Sequence, residues 1–339
     1  LRSEILGELP TGWDRGLDSL FTDASTTMST RDAGGKVMNA ISQTIPMLLG
    51  GSADLAPSTK TLLNDKAHFS ADNYGGNNFH FGVREHAMGA IANGMALHGG
   101  TIPYTATFLL FSDYMRPPMR LAAMMGLRVI YIFTHDSIGL GQDGPTHQPI
   151  EQLLSLRAIP NMVVLRPADA TETTEAWKLA VSRTDGPTVI VLSRQNLPIL
   201  DREKFAPSAG VQNGAYILHD SPSPAKAIIL STGSEIEIAI EAGELLASED
   251  IPVRIVSMTS WELFDKQPLT YQQEVLPPHL TARVSVEAAT DLGWERYTTS
   301  DGTSIGISRF GASAPSDVIY SNLGLTAQHV ANEVKKLIK

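Results

Sequence analysis

Short apolar runs of strand length recur along this chain, separated by stretches with helical periodicity. Leu127–Phe133, Met162–Leu165 and Thr188–Leu192 are rich in β-branched residues. This alternation constrains the fold more than any composition figure. Strands joined through helices pair in parallel, and a parallel sheet needs helices on its faces. Asp169-Ala170-Thr171-Glu172 opens one helix as a capping box, with Asp169 as cap and Glu172 reaching back. The pattern lapses between Asn196 and Gly214, where Pro198, Pro207 and Gly210 sit among charges. It restarts with strands at Ala227–Leu230, Val253–Val256 and Arg283–Glu287, a second capping box at Ser234–Glu237 and a closing helix over Thr326–Ile338. Residues 1–27, with a turn at Leu9–Gly12, read as a connector. A length of 339 residues accommodates two domains. The expectation is an α/β protein of two consecutive domains, 28–197 and 214–339, each a mostly parallel sheet flanked by helices and joined by a linker over 198–213.

Charge and composition exclude several functions. A net charge of −10 repels phosphate backbones and anionic lipid surfaces, so neither a nucleic-acid nor a membrane partner is expected. With no cysteine, thiol nucleophiles, disulfides and cysteine-ligated metals are ruled out. No apolar run reaches the ~18 residues of a membrane span, and a cytoplasmic location is expected. The first residue is Leu1, not Met, which suggests a processed or truncated chain. No H-E-x-x-H or G-x-S-x-G motif is present.

The richest segment runs from His135 to Pro149, directly after the Leu127–Phe133 run. Ligands of open parallel sheets bind outside the carboxyl ends of strands, so a site is expected there. Gly139 to Gly144 matches G-x-G-x-x-G, but His135 to Ile138 intervene after the strand and Pro145 follows, which argues against a dinucleotide fingerprint. Glu85 begins a helical stretch; spacing alone fits either a dipole-compensating carboxylate or a buried ligand to a substrate nitrogen. Phe108, Phe111 and Tyr114 recur at every third residue, as a helical core stripe or an aromatic wall for a flat heterocycle. Arg31 and Arg194 are candidate anion ligands, the latter after a strand. Gly50–Ser58 reads as a Gly/Ser/Asp turn.

Taken together, Gly50–Ser58, Phe81–Ile91, Tyr104–Tyr114, Thr134–Glu151, Pro160–Asp169, Leu192–Pro198, Ser231–Glu235 and Phe310–Pro315 resemble the transketolases, from about Ser29 onward. The resemblance covers that family's pyrimidine-binding and C-terminal domains. It lacks the N-terminal diphosphate-binding domain and its Gly-Asp-Gly…Asn motif, so residues 1–27 would lead from a missing domain. It implies thiamine diphosphate as cofactor, with Mg2+ or Ca2+ held on the missing half and no metal ligand on this chain. It implies that Glu85 hydrogen-bonds the aminopyrimidine and favours the imino tautomer that deprotonates the thiazolium. Phe108, Phe111 and Tyr114 would surround that ring, and Asp54 would be a further cofactor ligand. Arg31, Ser58, His135 and Arg194 would bind sugar phosphate, Asp143 the α-hydroxyl and His147 the ketol oxygens. The implied reaction moves a two-carbon ketol unit from a ketose phosphate to an aldose phosphate, within a homodimer or a heterotetramer with an N-terminal half. Dihydroxyacetone synthase is the nearest enzymatic alternative; a non-catalytic module that kept the fold is the alternative of another class.

Overall fold

The computed structural model describes residues 7–339; residues 1–6 of the expected connector lie outside the described part. Two parallel-rich sheets carry the architecture. The strands, in chain order, are β1 (Thr27–Ser29), β2 (Leu48–Ser52), β3 (Asn78–His80), β4 (Ile102–Phe108), β5 (Ile130–Thr134), β6 (Val163–Leu165), β7 (Thr188–Leu192), β8 (Asn196–Pro198), β9 (Tyr216–Asp220), β10 (Ala227–Ser231), β11 (Val253–Ser257), β12 (Arg283–Val286) and β13 (Thr303–Ile305). The first sheet is wholly parallel, in the order β3-β2-β4-β5-β7-β6. The second runs β13-β12-β10-β11-β9, with only β9 antiparallel. The small β1–β8 ribbon ties the segment before the first sheet to the segment after it.

The central strands β4, β5, β7 and β10 are buried at every position, which for β5, β7 and β10 matches their nearly continuous apolar runs. The run at Leu127–Phe133 starts pairing only at Ile130 and continues to Thr134. The turn expected at Gly50–Ser58 is a strand in its first three residues. Side chains are excluded there: a Cβ on Gly51 would stand 1.8 Å from the Phe79 carbonyl oxygen. The glycines let β2 sit between β3 and β4.

The first expected capping box is half formed. Asp169 accepts the Glu172 amide at 2.8 Å, but the Glu172 carboxylate passes Asp169 and takes the Ala168 amide at 2.8 Å. Its other oxygen accepts from Tyr216 and Ser257 of the second sheet, each at 2.7 Å. The second box is absent. Ser234 lies in a short 3-10 turn, Gly233–Glu235, and makes no cap. The closing helix spans Ala327–Leu337, with Thr326 capping it through the His329 amide. No helix among the described residues is long and apolar enough to cross a membrane.

Carboxyl ends of strands from both sheets meet. Arg166, just past β6, is fully buried. It donates to Asp136 beyond β5 at 2.7 Å, to Glu235 beyond β10 at 2.5 Å and to the Thr232 carbonyl at 3.0 Å. Arg157 forks onto Glu287, just past β12, at 2.8 and 2.9 Å. These buried charges are paired and hydrogen-bonded, the condition under which a folded core tolerates them.

Candidate functional site

Strand register brings the candidate residues together. Ser52 of β2 pairs with Ala106 of β4, Phe108 of β4 with Thr134 of β5, and Thr134 with Leu192 of β7. The carboxyl ends of these strands therefore form one rim. Asp54 follows β2, Phe108 ends β4, His135 follows β5 and Arg194 follows β7. Between β2 and β4 the strand order reverses direction, the place where open sheets leave a crevice.

Glu85 is the first residue of the Glu85–His98 helix and is only 8% exposed. The free amides of that helix end favour its negative charge. It lines a cavity of about 530 Å³ with Ala53, Asp54, Leu55, Val83, Phe111 and Tyr114. Asp54 itself is exposed and takes a left-handed backbone, φ 61°. Asp and Asn tolerate that conformation better than most residues.

The three aromatics do not share a helix. Phe108 closes β4, Phe111 closes a 3-10 turn and Tyr114 lies in the first turn of the Ser112–Met124 helix. They still form a row: Phe108 and Phe111 stack at 5.7 Å, and Phe111 and Tyr114 lie 6.1 Å apart. A 3-10 turn eclipses residues three apart, so the spacing survives the change of element. His135 stacks on Phe108 at 3.7 Å, and His147 meets Phe111 edge-on at 5.6 Å.

His135 is buried, left-handed at φ 59°, and its Nδ1 faces the Thr134 hydroxyl at 2.9 Å. Burial, then the cations Arg31 and Arg194, hold its pKa down at about 3. It is therefore neutral at physiological pH. Arg31 lies in the first turn of the Thr30–Thr44 helix, where Ser29 accepts the Asp32 amide at 3.2 Å. One guanidinium nitrogen donates to the Ser58 carbonyl at 2.9 Å, while its Nε is buried with no partner. Burial lowers the Arg31 pKa, and nearby Arg194 lowers it further against the opposing Asp32. Arg194 and Asp143 are exposed, whereas Ser58 and His147 are half-buried. The strand-end rim thus carries two guanidiniums and a neutral imidazole, and the aromatic row that His135 stacks on leads to the cavity with its buried carboxylate. Among the described residues, no three His, Asp or Glu side chains are grouped as a metal site.

Sequence reasoning missed Asp136, Gln148 and Arg166, which hold the His135–Pro149 loop rather than line the cavity. The only sequence signal was Arg166, a charge directly after an apolar run.

The chain is similar to proteins of one family. Residues 26–199 match the family model described as the transketolase pyrimidine binding domain, and 214–326 match that of the transketolase-like C-terminal domain. The chain is 50% identical over 339 residues to the transketolase of Geobacillus stearothermophilus, covering all of this chain and 50% of that one. Its structure resembles a Pichia stipitis transketolase complexed with sedoheptulose 7-phosphate, with TM-score 0.94 and 38% identity, over 99% of this chain and 49% of that one. A protein described as a split gene transketolase, an inactive β4 tetramer, matches with TM-score 0.73 and 26% identity over 92% of this chain and 98% of its own. The chain spans about half the length of the curated relatives it matches.

Proposed function

The chain belongs to the transketolase family, and on that premise we propose that it is the pyrimidine-binding and C-terminal portion of a transketolase. Completed by a diphosphate-binding half, it would move a two-carbon ketol unit from a ketose phosphate to an aldose phosphate. The observation that carries this reading is a single cavity in which buried Glu85 faces Phe111 and Tyr114. A flat aminopyrimidine needs such aromatic faces and a carboxylate for its ring nitrogen, so the residues fit thiamine diphosphate. When bound, that cofactor supplies the electron sink for breaking the carbon–carbon bond beside the ketose carbonyl.

Glu85 shares a proton with the pyrimidine nitrogen. Asp54 and Phe108 border the cofactor. Arg31, with its unpartnered buried Nε, binds the sugar phosphate together with Arg194, Ser58 and His135. His135, neutral, contributes a hydrogen bond and not a charge. Asp143 reads the α-hydroxyl, and His147 holds or moves a proton at the ketol oxygens. The divalent metal, Mg2+ or Ca2+, falls to the diphosphate-binding half. The division into domains 28–197 and 214–339, with linkers 1–27 and 198–213, is part of the same proposal.

The name of the split-gene relative, an inactive β4 tetramer, supports a second point. This chain alone would be inactive, and activity would require the other half in a homodimer or heterotetramer. Ketol transfer by the completed assembly tests the proposal, with sedoheptulose 7-phosphate as donor. Transfer that fails without the other half, and fails with Glu85→Gln, supports it. Transfer unaffected by Glu85→Gln would refute it.

A further inference from the structure

Three proposed substrate ligands, His135, Asp143 and His147, sit on one loop, and each has an immediate chain neighbour bonded to the 214–339 unit. Beside His135, Asp136 accepts from the Ser234 hydroxyl at 3.1 Å. Beside Asp143, the Gln142 carbonyl accepts from the Ser313 hydroxyl at 2.5 Å. Beside His147, Gln148 donates to the Ala312 carbonyl at 2.9 Å and, within the loop, to the Gly141 carbonyl at 3.0 Å. Gly311 makes room for this contact: a Cβ there would stand 1.8 Å from Gln148 Oε1. The Tyr320 hydroxyl, which donates to Glu235 at 2.7 Å, lies 3.3 Å from Ser137 Oγ.

The loop needs holding. Gly139, Gly141 and Gly144 give its backbone wide freedom, and ordering that freedom at the moment of binding would weaken affinity. Ala312 and Ser313 are exposed, so packing does not explain their contacts with it. We propose that the 214–339 unit is a clamp on the substrate loop, with Ser313 and Gln148 as positioning residues for Asp143 and His147. The role at the substrate rests on the site reading above; the clamp rests on the contacts alone.

The test is Ser313→Ala in the full chain, with Ser313→Thr as the conservative variant that keeps the hydroxyl. Because Ser313 is exposed, folding is not at risk. Amide hydrogen exchange over residues 142–146 is expected to quicken about three- to tenfold in Ser313→Ala, the worth of one neutral hydrogen bond. Ser313→Thr should return it to the native rate, and β5 should not change in either variant. In the completed enzyme, KM for the ketose phosphate should rise by a similar factor with kcat nearly constant. Unchanged loop exchange in Ser313→Ala would overturn the clamp. Faster exchange with unchanged KM would overturn the positioning role. Faster exchange in an assembly whose wild type transfers no ketol would support the clamp and overturn the site reading instead.

Discussion

Glu85 is a carboxylate that nothing in the fold requires to be acidic. It begins a helix, where an acid is favoured but dispensable, yet it is buried against a cavity. Glu85→Ala in the completed enzyme should cut turnover about 10²- to 10⁴-fold, the range for losing a proton-transfer partner. Thermal unfolding of the chain should move little, which a melting curve checks. Arg31→Gln should raise KM for phosphorylated donors at least about tenfold and leave unphosphorylated sugars nearly unaffected, since one charge-assisted bond is at stake. His135 carries a pH signature. Its folded pKa of about 3 lies below the ordinary 6.5, so below pH 6.5 the unfolded chain takes up a proton that the folded chain refuses. Stability from this group is present above pH 6.5 and drains as pH falls toward 3. Between pH 6.5 and 5, native chain should lose about 2 kcal/mol more than His135→Asn. Parallel urea titrations at the two pH values measure it; equal losses would contradict the assignment.

At the scale of elements, burial decided what could be read from sequence. β5, β7 and β10 were legible because both faces are covered and every residue is apolar or nearly so. β2 was not, because Gly50-Gly51-Ser52 has the composition of a turn; only the neighbouring carbonyls of Phe79 and Tyr104 explain why small residues occupy a strand. Gly51→Ala should therefore destabilise the fold by about 1–3 kcal/mol and release edge strand β3, seen as faster amide exchange at Asn78–His80. The aromatic row was legible as a spacing but not as an element, since strand end, 3-10 turn and helix preserve the same three-residue step. Ser234 and Glu172 carried capping patterns, yet their side chains serve contacts between the sheets. Such pairs are invisible locally: Arg166 and Glu235 are 69 residues apart in sequence. Arg166→Met leaves Asp136 and Glu235 buried without their cation and should cost about 3–5 kcal/mol by denaturant titration.

On the function proposed above, the whole molecule presents half a site. Strand ends of the first sheet gather the candidate ligands, and the second sheet closes over their supporting loop. The cavity at Glu85 stays open on one side, where Val83 and Tyr114 are 74% and 64% exposed. On the same proposal, this exposed apolar mouth is the surface that the diphosphate-binding half would cover. The family and the candidate residues were legible in sequence because long motifs sit at strand ends. The loop's supports were not, because they join segments far apart in the sequence, through side chains and backbone carbonyls alike. The most direct test is native mass spectrometry of the protein taken from the cells that make it. The account predicts this chain together with a diphosphate-binding half, separate or continuous with it, and bound thiamine diphosphate. Assemblies made only of the 36.5 kDa chain, free of thiamine diphosphate and still able to transfer ketol units, would contradict it.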